Sequence, residues 1–207
     1  MADFPSLDNR ITALFQNSNG CFFILGEFIA TNPNLWCGAS TLEIGAGVAA
    51  LPSMTALRCG AARVAFEQIR CNLERNFGKA HIGERVRIMG LDWLEADESL
   101  ERIFAETPKV DFIFGSDVFY DPCVFESLVL LLQKCFDRFP RLEAFIAYQI
   151  RDSDWSLEEL LAAKGLRCSL IRCVDTDQHS ICLAKFSSAP PTVMLDCGKM
   201  TFAGIEG

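Results

Sequence analysis

Apolar residues along the chain fall into short dense blocks whose spacing alternates between strand-like and helical. Phe22–Ala30 (FFILGEFIA) reads as a buried helix that ends near Asn32-Pro33. Ser40–Ile44 (STLEI) reads as a short strand running into Gly45-Ala46-Gly47. Ala49 to Arg58 has helical density, with Pro52 in its first turn and Gly60 placed for a left-handed cap. A second strand at Arg63–Phe66, a helix around Ile69–Phe77 and a third strand at Val86–Gly90 follow. Asp111–Ser116 is almost wholly apolar, as expected of a strand covered on both faces of a parallel sheet. Asp121-Pro122 supplies an N-cap and a first-turn proline for a long helix to about Arg138. Ala144–Ile150 is a fifth strand, and Ser156–Glu159 is a capping box for a short helix that Gly165 ends. Leu166–Val174 and Ser180–Phe186 have no helix-length segment between them and predict an antiparallel hairpin.

Strands alternating with helices predict an α/β fold with a Rossmann-like, doubly wound sheet. Two adjacent strands at the end are unusual for a dinucleotide fold. Five parallel strands closed by a hairpin is the arrangement of class I methyltransferases. Residues 1–186 then form one domain and 187–207 a tail.

Composition narrows the partners. The 207 residues are 50% hydrophobic, enough for a sizeable core and too apolar for disorder. A net charge of −8 argues against direct nucleic-acid binding and suits a basic protein or peptide partner, although it also serves solubility. Ten scattered cysteines contain no C-x-x-C pair, so a metal site is not expected, and most read as small buried hydrophobes in a reducing compartment. Apolar runs such as Cys21–Leu25 and Leu128–Leu132 stop at five residues, so no membrane span is expected. The expectation is a soluble monomer of the cytoplasm or nucleus.

Three constellations carry chemistry. Gly45-Ala-Gly47-Val-Ala-Ala50 satisfies G-x-G-x-x-[G/A], and Glu67 ends the next strand 22 residues after Gly45, placed to accept from ribose hydroxyls. That much fits a nicotinamide cofactor as well as S-adenosylmethionine. Glu43, two places before the first glycine, favours the latter, because a carboxylate there can meet a positively charged amino-acid end. The plainer alternative is a strand-end Glu that caps the neighbouring turn. Asp92-Trp93 follows the third strand, where the acid can bond an adenine amino group and the indole can pack the ring. Trp93 as an ordinary core aromatic is the competing reading. Gly115–Tyr120 (GSDVFY) ends the fourth strand, where ligands bind in open α/β sheets. Asp117 and Tyr120 flank a place where a substrate nitrogen could meet a sulfonium methyl. Asp117 as a turn cap and Tyr120 as core are the alternatives.

Leu42–Val48 (LEIGAGV), Leu51-Pro52, Gly90–Trp93 (GLDW), Ser116–Pro122 (SDVFYDP) and Tyr148–Glu158 (YQIRDSDWSLE) resemble the seven-strand protein methyltransferases of family 16. The resemblance runs from about residue 20 to 186. It implies S-adenosyl-L-methionine as methyl donor and a protein side-chain nitrogen as acceptor. Most of the family modify lysine, whereas the branch this chain resembles most is described as histone-arginine methyltransferases acting in transcription. By that resemblance Glu43, Gly45, Gly47, Glu67, Trp93 and Ser116 line the cofactor, and Asp117 to Tyr120 matches the D-x-x-[FY] substrate motif. The family's Trp-Pro pair ahead of the first helix is replaced by Asn19-Gly20. A non-catalytic interaction module on the same fold is therefore the rival function. A dehydrogenase is the weakest reading, since no Tyr-x-x-x-Lys pair is present.

Overall fold

A computed structural model describes residues 20–47, 50–66, 85–151, 157–175 and 179–189. The elements are α1 (Cys21–Thr31), α2 (Pro33–Trp36), β1 (Ser40–Ile44), α3 (Leu51–Arg58), β2 (Arg63–Phe66) and β3 (Val86–Ile88). They continue through α4 (Ala96–Glu106), β4 (Phe112–Ser116), α5 (Pro122–Arg138), β5 (Glu143–Ile150), α6 (Leu157–Ala163), β6 (Leu166–Asp175) and β7 (Ser180–Ser188). The expected helix at Ile69–Phe77 and Ser156 of the capping box lie outside the described residues.

The strands form one seven-stranded sheet in the order β3-β2-β1-β4-β5-β7-β6. β1 pairs in parallel with β2 and β4, and β4 with β5, while β7 runs antiparallel to β5 and β6. This is the class I methyltransferase architecture. The order reverses beside β1, so its carboxyl end and that of β4 flank the crevice where such sheets bind ligands.

Alternation along the strands splits the core into two layers. Ile113, Ala144 and Ile146 face one layer, with the α5 residues Leu128, Val129, Leu131 and Leu132 and with Phe119. Phe114, Phe145 and Ala147 face the other, against α1 and α3. Fully buried Trp36 centres that second layer, edge-on to Phe28, Phe112, Phe114 and Phe145. Its indole Nε1 donates to the Ile29 carbonyl at 2.8 Å, satisfying the one polar atom it buries.

Asp121 caps α5 as expected, its Oδ1 accepting from the Cys123 N–H at 2.9 Å, with Pro122 at the first helical position. Two helices go beyond the pattern reading. α2 starts on the proline expected only to end its predecessor. α4 (ADESLERIFAE) lies where the apolar pattern predicts no element, burying Ser99, Leu100 and Ile103 and placing Asp97 and Glu98 in its first turn. β3 stops at Ile88, two residues short of the expected Gly90. The thiols are also less uniform than expected. Of the eight cysteines among the described residues, all free, Cys21, Cys135 and Cys182 are buried while Cys37, Cys123 and Cys173 are exposed. Among the described residues, no helix is long and apolar enough to cross a membrane.

Candidate active site

The turn after β1 is built on left-handed backbone. Gly45 has φ +62° and Gly47 φ +54°, both readily adopted by glycine. A Cβ at Gly45 would stand 2.9 Å from Val118 Cγ1 and 3.1 Å from Trp93 Cζ2, so the space its hydrogen leaves is filled by those two side chains. Among the described residues a Cβ at Gly47 meets nothing within 4 Å, which leaves its backbone open to a ligand. Gly45, Trp93 and Val118, from three separated motifs, thus meet at one point.

Glu43 is buried beneath this turn, 2% exposed, and its Oε2 accepts the Ser53 backbone N–H of α3 at 2.9 Å. Burial pushes its carboxyl up to about 7, and the hydrogen bonds from Ser53 hold it down only in part. The Ser53 contact ties the end of β1 to the first turn of α3. Ser53, which the sequence analysis does not name, is fully buried.

Asp92 is exposed and its Oδ1 accepts the Leu94 N–H at 2.9 Å, an Asx turn that aims the chain into α4. Half-buried Trp93 turns back onto Gly45, and its ring centroid lies 6.4 Å from that of Tyr120. An open depression of about 630 Å³ runs past Gly90, Asp92, Trp93, Leu94 and Tyr120. Glu67 lies outside the described residues.

The turn after β4 is made differently. Ser116 still pairs with Ala147 of β5, and its hydroxyl is enclosed without a hydrogen-bond partner. Asp117 then takes φ +55°, a left-handed conformation that Asp tolerates better than most residues, while its N–H donates to the Ala147 carbonyl at 2.8 Å. Val118 and Phe119 plunge into the core at 1% and 2% exposure. Phe119 lies edge-on to Phe125 and Tyr148 and stacks on Phe186. These anchors leave Asp117 and Tyr120 at the surface, Tyr120 49% exposed rather than in the core.

Two residues of this site carry no role in the sequence analysis. Arg151, just past β5, donates from Nη2 to Asp117 Oδ2 at 2.8 Å, and that carboxylate raises its guanidinium further above the usual range. Its signal was its place in the Tyr148–Glu158 run that carries the family resemblance, one residue beyond the end of β5. Cys21, the first residue of α1, lies beside the same pair; burial first, and then the Asp117 carboxylate, push its thiol up to about 12. Such a thiol stays protonated and serves as packing. No sequence signal marked it.

The arrangement puts an open glycine backbone, an aromatic face, an enclosed hydroxyl and a carboxylate on one edge. It suits a polar ligand with a planar portion lying across the turn, beside a basic group directed at Asp117.

Comparison with known proteins gives a consistent picture. The sequence pattern of a family described as lysine methyltransferase matches residues 18–158. The histone-arginine methyltransferase METTL23 of Xenopus laevis is 33% identical over 169 residues, covering 79% of this chain and 70% of that protein. The protein-lysine N-methyltransferase EFM3 of Chaetomium thermophilum is 28% identical over 152 residues, 69% of this chain but only 44% of its own. Among solved structures, magnesium protoporphyrin IX methyltransferase of Synechocystis with bound SAH superposes with a TM-score of 0.54 at 12% identity, over 89% of this chain and 96% of that one. At that identity the likeness is one of fold.

Proposed function

This chain belongs to the lysine methyltransferase family, and on that premise we propose that it methylates a basic side-chain nitrogen, arginine or lysine, of a protein, using S-adenosylmethionine. The observation that carries the reading is the convergence of Gly45, Trp93 and Val118, which sets the glycine turn beside Asp117. The relative named for histone arginine supports a histone-type arginine and a role in chromatin, and the family description supports lysine. The −8 charge suits either basic partner.

Bound S-adenosylmethionine supplies a methyl group activated by its sulfonium. The residues present fit it. Gly47 would receive it on backbone that no Cβ obstructs, Gly45 would let Val118 and Trp93 close against the turn, and Glu43, buried beneath, would meet its charged amino-acid end directly or through water. Trp93, Asp92 and Glu67 would take the nucleoside, and the unpartnered Ser116 hydroxyl would complete the lining. Asp117 would accept an N–H of the acceptor and orient its nitrogen, while Tyr120 bounds the channel by stacking or hydrogen bonding. Val118, buried beneath the turn, holds Asp117 in a fixed orientation, and oriented groups need no rearrangement as charge changes during transfer. Rate then comes from alignment, since in-line transfer to nitrogen needs little covalent help. A lysine acceptor must first release a proton, its free pKa being about 10.4.

Labelled methyl transfer onto core histones and whole-cell extract, followed by mass spectrometry of the modified residue, tests the function and identifies the acceptor. Asp117→Ala should cut turnover on the order of 10³-fold while calorimetric affinity for S-adenosylmethionine stays within about threefold. Unchanged methyl incorporation by that variant would remove Asp117 from the site. Absence of cofactor binding by the wild type at hundreds of micromolar would leave an interaction scaffold instead.

A further inference from the structure

Asp117, the residue proposed above to receive the acceptor, already has a cation. Arg151 Nη2 donates to Oδ2 at 2.8 Å, and Nη1 lies 3.4 Å from the Phe119 carbonyl. The guanidinium therefore spans the Asp117–Phe119 turn from outside, tying its first residue to its third. Both partners are accessible, the Arg151 side chain 29% and the Asp117 side chain 42% exposed. The two carboxylate oxygens differ. Oδ1 is enclosed, so the accessible part of the side chain is on the Oδ2 side, where Arg151 sits.

An ion pair of this exposure contributes little to stability. The backbone beneath it is fixed by other means, through the Asp117 N–H on Ala147 and the burial of Val118 and Phe119. What Arg151 does govern is the direction of the carboxylate and the charge it shows outward. A bare carboxylate there would hold a basic acceptor as a tight ground-state ion pair, and binding equally strong before and during transfer does not raise turnover. A carboxylate already shared with a guanidinium holds it more loosely and at one angle.

We infer that Arg151 is a positioning residue of the acceptor site: it occupies one side of Asp117 Oδ2, aims the carboxylate and offsets its charge where the substrate's basic side chain docks. An arginine acceptor then meets Asp117 through the remaining side of Oδ2, by a single N–H and not a two-bond fork. The inference rests on the reading of Asp117 as the acceptor's anchor, and the test separates the two.

Steady-state methyl transfer to core histones, or to the acceptor that extract labelling identifies, is measured for wild type, Arg151→Ala and Asp117→Ala, with thermal melting and cofactor calorimetry on each. Arg151→Ala should lower kcat on the order of 10²-fold, as misplacing an orienting group does. KM for the protein acceptor should fall about threefold instead of rising, because the freed carboxylate binds the cation more tightly before transfer. Affinity for S-adenosylmethionine should stay within about twofold. A purely structural contact would instead raise KM and weaken the cofactor together. Wild-type kcat and KM in Arg151→Ala, with Asp117→Ala inactive, would overturn the role of Arg151 and leave Asp117 standing. Wild-type activity in Asp117→Ala would overturn the reading beneath it. Should Arg151→Ala not fold, Arg151→Gln carries the same test, its aliphatic stem still packing while the charge is gone.

Discussion

The turns after β1 and β4 lie side by side on the sheet's carboxyl edge, and both bend through left-handed backbone. The β1 turn does so with glycines at 45 and 47, at +62° and +54°; the β4 turn does so with an aspartate at +55°. Glycine removes the side chain and offers bare backbone, whereas Asp117 keeps its side chain in a conformation that costs most non-glycine residues about 1–2 kcal/mol. One turn is shaped to be approached, the other to present a group. The difference extends beneath them. A buried carboxylate, Glu43, ties the first turn to α3 through a backbone N–H, while an exposed guanidinium, Arg151, ties the second through a side-chain pair. A cofactor on the first and an acceptor on the second is the division of labour this contrast supports.

The largest expected effect comes from giving the first turn a side chain. Gly45→Val would set a branched residue at φ +62° with its Cβ 2.9 Å from a buried Val118. Left-handed strain and overpacking together should cost about 3–5 kcal/mol and abolish cofactor binding. Chemical denaturation and calorimetry read the two. A variant that keeps wild-type stability would show that the Gly45–Trp93–Val118 contact is slack and that the two turns are not mechanically joined.

A smaller effect is expected at Glu43. Its carboxyl rises from an ordinary 4.5 to about 7 in the folded protein, so between those values the folded state holds a proton that the unfolded chain has lost. Stability therefore falls as pH rises from about 4.5 to about 7 and levels off above, by on the order of 3 kcal/mol. Glu43→Gln keeps an oxygen for the Ser53 N–H and has no proton to lose. The difference in urea midpoint between variant and wild type should then open across that window, the variant being the more stable at pH 8. Its affinity for S-adenosylmethionine at pH 8 should nevertheless drop, because the charge that meets the amino-acid end is gone. Parallel pH profiles for the two proteins would show that Glu43 does not titrate in this window.

The legibility of the two turns in the sequence differs for the same reason. The first is written in residue types with few other uses: glycines after a strand and an acid two places before them. Strands at Ser40–Ile44 and Arg63–Phe66, the cap at Asp121 and the closing hairpin were readable too, because period and punctuation are local. α4 was open to the same reading, with Leu100, Ile103 and Phe104 at helical spacing behind an acidic first turn, yet its polar start resembles a loop. Local rules do not show what Arg151 and Cys21 touch. Arg151 reaches Asp117 across 34 residues because β5 runs parallel to β4 and past its end, and Cys21 because α1 lies over the same edge. Such contacts depend on register, which a linear pattern does not carry.

The smallest expected change in stability is the sharpest test of the contrast. Asp117→Gly makes the second turn like the first. Glycine at φ +55° relieves about 1 kcal/mol of left-handed strain, and the exposed Arg151 pair it forfeits is worth about 0–1 kcal/mol. The two nearly cancel, so the unfolding free energy from urea denaturation should stay within about 0.5 kcal/mol of wild type while methyl transfer disappears and cofactor binding persists. A variant that lost stability in proportion to activity would make Asp117 a structural residue of the turn. One equal to wild type in stability and null in turnover would mean that the left-handed aspartate is retained for the group it presents, which is the reason the two turns differ at all.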